Sequence, residues 1–180
     1  DGSIGYGTGE DDFLIDRGDA TLNDEQLEAL LDIYRTQIAA GVQTIMISHS
    51  SLNGTKMHAN KELITDVLKG ELQFKGFVVS DWESIHHIPG NAYEQVVTAV
   101  NAGIDMLMEA DSYQTTYEYI LEGVVNGDIS EERINDAVRR ILTVKENAGV
   151  LDDPYMDNVT SDYSKMDSEE CKDMARQLVE

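Results

Sequence analysis

Three short apolar runs constrain this 180-residue chain more than any other feature: Thr44-Ile45-Met46-Ile47, Phe77-Val78-Val79 and the stretch from Ile104 to Met108. They are too short for helices and lack the polar alternation of a strand with one wet face. They therefore read as strands buried on both sides. Ile45 and Val78 lie 33 residues apart, and Val78 and Met106 lie 28 apart. Each interval carries a helical pattern, so parallel pairing through helical crossovers accounts for both spacings. In the first interval Leu63, Val67 and Leu68 fall at helical spacing between Ala59 and Lys69, after a loop Ser51–Lys56 and before Gly70. In the second, a helix from Tyr93 to Ala102 stops at Gly103.

The flanks extend the same alternation. Thr21 opens a helix with Asp24 in an approximate capping box, with Leu27, Leu30, Leu31, Tyr34 and Ile38 on one face and Gly41 as its stop. Two later helices are expected over Tyr113–Val125 and after the N-cap Ser130. The second turns Ile134, Ala137, Val138, Ile141 and Leu142 inward and closes at Gly149. Residues 1–20, with Gly2, Gly5, Gly7, Gly9 and Gly18, read as a long loop. From Asp152 to Glu170 the chain is polar and turn-rich, a linker running into a helix from Asp167. Three βα units do not close a sheet, and a (β/α)8 barrel takes about 250 residues. The fold expected is α/β: the last part of a barrel, or a small open sheet.

Charge narrows the partners. Thirteen basic residues against thirty-five acidic ones leave a net charge of −22. A polyanion of that size disfavours nucleic acid and anionic membrane surfaces. No apolar run approaches the roughly 20 residues that span a bilayer. The single Cys171 excludes an intrachain disulfide framework. The chain opens on Asp rather than Met and has no basic-then-apolar leader, which sets the expectation that it is a piece of a longer protein.

In parallel α/β architectures reactive side chains sit at the carboxyl ends of strands. That rule selects His49, then Asp81, Trp82 and Glu83, then Met108 and Glu109. Asp81 is the sharpest of these. A carboxylate leaving a buried strand beside an indole suits a sugar site, where an aromatic face covers a pyranose and the carboxylate meets an oxocarbenium-like centre. The plainer alternative is a helix cap or a lysine partner. His49, His58, His86 and His87 invite a metal reading, but His86 and His87 are adjacent and no HExxH spacing exists, so no metal is expected. The acidic clusters Glu10-Asp11-Asp12 and Asp152-Asp153 lack an EF-hand pattern and read as solvated loop charge. Gly5, Gly7 and Gly9 follow no strand, which makes a phosphate cradle a weak reading.

The blocks Met46–Gly54, Lys56-Met57-His58-Ala59-Asn60, Gly76-Phe77-Val78-Val79-Ser80-Asp81-Trp82-Glu83 and Gly103–Met108, followed by Asp136–Leu142, resemble glycoside hydrolase family 3. The likeness is to its exo-acting β-glucosidases and β-glucan exohydrolases, and runs from Asp1 to about Tyr155. It implies a retaining β-glycosidase whose first domain is a (β/α)8 TIM barrel. Residues 1–150 would be the C-terminal part of that barrel, about strands 6–8, beginning in the loop after strand 5. Residues 151–180 would lead toward a second α/β domain. Asp81 matches the catalytic nucleophile, Trp82 the aromatic that grips the sugar, and Met108 and Glu83 the pocket lining. Glu10 matches an acidic residue of the loop after the fifth strand. His49 stands where relatives often have Tyr, and His87 where some place Arg near the outer subsite.

By the same resemblance the sugar-binding Lys-His pair lies upstream of Asp1. The acid/base comes from the second domain, the substrates are β-linked glucosides or oligosaccharides, and no cofactor is required. This chain alone is then expected to be inactive, and the parent secreted or periplasmic. The Asp-Trp-Glu block favours a glucosidase over the N-acetylglucosaminidase branch, whose Asp/His dyad has no counterpart in residues 1–20, which contain no His. The rival expectations are a half-barrel that binds sugar or a partner chain without catalysis, and an unrelated phosphate-handling barrel.

Overall fold

The computed structural model describes residues 17–156 and 168–179. They fall into two compact units, one ending at Val144 and the other starting at Lys145.

The first unit opens with β1 (Asp19–Ala20), α1 (Asp24–Ala39) and β2 (Thr44–Met46). The cap of α1 is Asn23 rather than Thr21. Its side chain accepts the Gln26 N–H while the Gln26 side chain accepts the Asn23 N–H, a reciprocal capping box slightly beyond the expected start. The expected apolar face is present but only half-buried: Leu27, Leu30, Tyr34 and Ile38 pack on the core from its rim.

The segment 51–56, expected as a loop, is a two-stranded hairpin: β3 (Ser51–Leu52) and β4 (Thr55–Lys56) pair antiparallel. Its turn residues Asn53 and Gly54 have φ of 48° and 84°. Asn-Gly suits such a left-handed two-residue turn and is the signal of it in the sequence. Asn53 also fixes the hairpin to the residue before the α1 cap, accepting the Leu22 N–H and donating to the Leu22 carbonyl. The Asp19 carboxylate receives the Gly54 N–H. Ser51 and Leu52 pair parallel with Asp19 and Ala20, so the end of the expected N-terminal loop is a strand.

A 3-10 turn (Met57–Ala59) leads into a π-helix (Glu62–Glu71) that continues through Gly70. Its wide turns, as in the bond from the Leu72 N–H to the Val67 carbonyl, let residues four and five apart share a face. Ile64, Leu68 and Lys69 are buried together on it. Next come β5 (Phe77–Val79), a 3-10 turn (Ser84–His87), α2 (Ala92–Ala102), α3 (Tyr113–Asn126) and α4 (Glu131–Asn147).

The expected parallel pairing is observed. Thr44, Ile45 and Met46 lie opposite Phe77, Val78 and Val79. Their starts approach so closely that a Cβ on Gly76 would lie 2.0 Å from the Gln43 carbonyl oxygen, which only glycine allows. The third strand reduces to one parallel bridge, Val79 with Met106. The reason is Asp105: its side chain, not a strand carbonyl, takes the Val78 N–H at 2.8 Å. The Asp105 side chain is fully buried and also meets Lys69 Nζ at 2.7 Å and the Arg133 guanidinium. Arg133 continues to Asp136, and Arg140 joins Asp136 to the carbonyls of Phe74 and Gly76. This ionic clamp ties the π-helix, the Asp105 segment, α4 and the start of β5 together.

The apolar core is Ile45, Ile47, Ile64, Phe74, Val78, Ile85, Val96, Ala99, Ile104 and Ile129, with their neighbours. On α4 only part of the expected inward face is covered. Ala137 is buried and Ile134 packs on the core, whereas Val138 and Leu142 are about half exposed. The stripe on α4 is wider than the surface against it.

In the second unit α4 ends and Gly149, at φ 75°, breaks the helix. The expected C-terminal helix is α5 (Glu169–Val179), two residues later than Asp167, with the Ser168 hydroxyl accepting the Cys171 N–H. All its described side chains are exposed.

Candidate active site

Asp81 follows β5 closely, and the polypeptide turns sharply there. Its carboxylate oxygen Oδ1 accepts the Trp82 N–H at 2.6 Å, and its carbonyl accepts the Ser84 N–H at 3.3 Å. The carboxylate thus has a local turn role, in keeping with the plainer reading. Its ionisable neighbour, however, is not a lysine but His49, whose Nε2 lies 3.4 Å from Oδ1. His49 comes off the end of β2, so the pairing of β2 with β5 delivers the two residues to one edge of the sheet. The Asp81 side chain is 20% exposed, and that of His49 only 9%. Trp82 is 60% exposed beside them, an apolar face offered to solvent next to a half-hidden carboxylate.

Behind this pair are two residues that sequence reasoning leaves out of the site. The Asp81 N–H donates to His58 Nε2 at 3.0 Å. The Ser84 hydroxyl sits between His49 Nδ1 at 2.7 Å and His58 Nδ1 at 3.2 Å. In the sequence His58 suggests only a metal ligand. Ser84 carries no motif, and its position is visible only once the chain turns back after Asp81. Burial pushes the His58 pKa down to about 3, helped by His49, His87 and Lys56, so this ring is neutral.

Glu83 and Met108 are brought together by the backbone. Glu83 adopts a left-handed conformation, φ 49°, and its N–H donates to the Met108 carbonyl. One Glu83 carboxylate oxygen accepts the Asp111 N–H at 3.0 Å, so this side chain braces the loop after Met108. The Met108 N–H in turn donates to the Ser80 hydroxyl at 2.7 Å. His87 faces His49 edge-on with ring centres 6.1 Å apart, and burial, then Arg17 and Lys56, lower its pKa. His86 diverges from its neighbour: Nε2 lies 2.8 Å from Glu109 Oε2, which also accepts from the Ser112 hydroxyl. Glu10 lies outside the described residues. Among the described residues no three His, Cys, Asp or Glu side chains converge as a metal site.

Comparison with known proteins gives this geometry a context. Residues 3–144 match the model of the glycosyl hydrolase family 3 N-terminal domain. The chain is 42% identical over 123 residues to a lysosomal β-glucosidase of Dictyostelium discoideum, covering 64% of this chain and 15% of that protein. It is 34% identical over 160 residues to a periplasmic β-glucosidase of Salmonella typhimurium, covering 81% and 20%. Among solved structures, a Q683A mutant of the exo-1,3/1,4-β-glucanase ExoP from a Pseudoalteromonas species superposes with a TM-score of 0.72 at 42% identity, over 75% of this chain and 22% of that one. A β-glucosidase from Listeria innocua in complex with glucose gives a TM-score of 0.75 at 25% identity, over 88% and 22%. The chain thus spans about a fifth or less of the length of these curated relatives. Parallel βα units, a carboxylate at the end of β5 and a match over most of the chain agree: it belongs to glycosyl hydrolase family 3, through the α/β barrel-type N-terminal domain of that family.

Proposed function

We propose that this chain is part of a retaining β-glucosidase, in which β2, β5 and the Met106 segment are strands 6, 7 and 8 of the barrel. Asp81 is its nucleophile. The observation that carries this reading is the Asp81 carboxylate at the carboxyl end of β5, one fifth exposed, with His49 against it and the Trp82 indole open to solvent beside it. Asp81 attacks the anomeric carbon of a β-linked glucoside, forming a carbon–oxygen bond as the bond to the aglycone breaks. A carboxylic acid elsewhere in the parent protein protonates the departing oxygen. It then takes a proton from the water that releases the sugar and regenerates Asp81. Retention needs that second carboxyl group about 5–5.5 Å from Asp81.

Trp82 stacks on the sugar, Met108, Glu83 and Glu10 line the pocket, and His49 and His87 border it. No metal or organic cofactor enters these steps. The boundary between the compact units near Val144 supports residues 1–150 as barrel and 151–180 as the path to a second domain. Relatives named as periplasmic and lysosomal enzymes support a secreted or periplasmic parent.

The test is turnover of an aryl β-glucoside, together with mass spectrometry after incubation with a 2-deoxy-2-fluoroglucoside. The full-length parent should release nitrophenol and carry the fluorosugar on Asp81. Asp81→Asn should lose about 10³-fold or more in kcat, and the 180-residue chain alone should show no turnover. Normal turnover by Asp81→Asn, or a label on another residue, would remove Asp81 from the role. Turnover by the short chain would remove the need for a second domain.

A further inference from the structure

One hydrogen bond beside Ser84 has a direction fixed by its donor, and it constrains the others. A backbone N–H is always a donor, so the bond from Asp81 N to His58 Nε2 leaves that nitrogen without a proton. His58 is neutral, which places its one ring proton on Nδ1. Nδ1–H then donates toward the Ser84 oxygen at 3.2 Å, and the Ser48 backbone beside the same ring is a second acceptor for it. Either way the Ser84 hydroxyl hydrogen has no acceptor on His58 and turns to His49 Nδ1 at 2.7 Å. A neutral His49 that accepts at Nδ1 carries its proton on Nε2, the nitrogen that faces Asp81 Oδ1 at 3.4 Å. Every link of this chain is buried: His58 is 2% exposed, Ser84 2% and His49 9%.

We infer that His49 is a positioning residue for the Asp81 carboxylate, and that Ser84 and His58 hold it in the one tautomer that presents an N–H to that carboxylate. Asp81 is therefore gripped at both ends by one circuit. His58 accepts from its backbone N–H, and His49, two links further on, turns Nε2 toward its carboxylate at 3.4 Å. The Trp82 N–H on Oδ1 completes the hold, and among the described residues no hydrogen bond engages Oδ2, the oxygen assigned to the attack. The contact of 3.4 Å is long for a hydrogen bond and suits a group that tightens when a sugar excludes water. The inference rests on the reading of Asp81 as nucleophile, but the tautomer itself does not.

Two measurements separate them. Long-range nitrogen–proton NMR of the histidine-labelled chain near pH 7 reports the ring proton directly. His49 should be the Nε2–H form and His58 the Nδ1–H form, and Ser84→Ala should leave His49 a mixture. A His58 with its proton on Nε2, or a His49 insensitive to Ser84→Ala, overturns the circuit. In the full-length parent, His49→Phe should lower kcat by about 10²-fold, the scale of a misplaced reacting group, with KM changed little. His49→Gln, whose amide N–H replaces Nε2–H, should recover most of the loss. A kcat within about threefold of the parent in His49→Phe, too small for a misplaced group, or no recovery with Gln, overturns the positioning role. Full activity in Asp81→Asn would instead strike the nucleophile assignment and leave the NMR result standing.

Discussion

His58 lies among His49, His87 and Lys56 with its ring closed off from water, and burial takes its pKa from 6.5 down to about 3. In the unfolded chain the same ring takes up a proton near 6.5. Its contribution to stability is therefore whole above that pH, and is lost as pH falls from about 6.5 toward 3. At about 1.4 kcal/mol per unit, roughly 2–3 kcal/mol should be gone by about pH 4.5. Urea midpoints at about pH 7 and 4.5 check this linkage: His58→Gln should fall less between the two than the unaltered chain, and equal falls would refute it. Asp81 is legible in the sequence because a carboxylate, an indole and a strand end coincide in consecutive residues. Ser84 and His58 are not. Their partnership joins positions 26 residues apart, and Ser84 gains its role only through the turn that Glu83 makes at φ 49°.

Among the elements, the ionic clamp around Asp105 does what a longer third strand would otherwise do. It fills the hydrogen-bonding place beside Val78 with a side chain and spreads two cations over one buried carboxylate. Burial pulls Lys69 down to about 8 and Asp105 pulls the other way, so the carboxylate favours the charged form of a lysine that burial disfavours. Asp105→Asn should therefore cost about 3–5 kcal/mol, the scale of leaving buried charge unpaired. The loss should appear as a lower urea midpoint with an unchanged slope; a loss under about 1 kcal/mol would show the clamp to be incidental. The parallel strands and their helices are readable from apolar runs and glycine stops. The hairpin has its one signal in Asn53-Gly54, easily passed over because two-residue strands leave no periodicity. The helix of residues 62–71 is readable from the spacing of Leu63, Val67 and Leu68, but that spacing does not reveal its π-type turns, which bury Ile64, Leu68 and Lys69.

At the scale of the molecule, the net charge of −22 works against compactness, and the few cations do little to offset it. Raising ionic strength from about 0.01 M to 0.15 M shortens the screening length from about 30 to 8 Å, and Tm should rise by a few degrees in a scanning melt. A flat or falling Tm would mean that specific ion pairs such as those of Arg35 outweigh the general repulsion. The order of parallel units is legible at this scale. The half-exposed Val138 and Leu142 are not, because periodicity marks an apolar face without saying how much of it is covered. One detail of the hairpin bears on how the chain ages. Asparagine followed by glycine is the dipeptide most prone to cyclise to a succinimide and lose ammonia, a reaction that needs a mobile amide side chain and a free glycine nitrogen. Leu22 pins the Asn53 amide at both its oxygen and its nitrogen, and the Asp19 carboxylate occupies the Gly54 N–H. Deamidation at that dipeptide is thereby made to wait on local opening of the turn, and stored protein would record at Asn53 how often the turn comes undone.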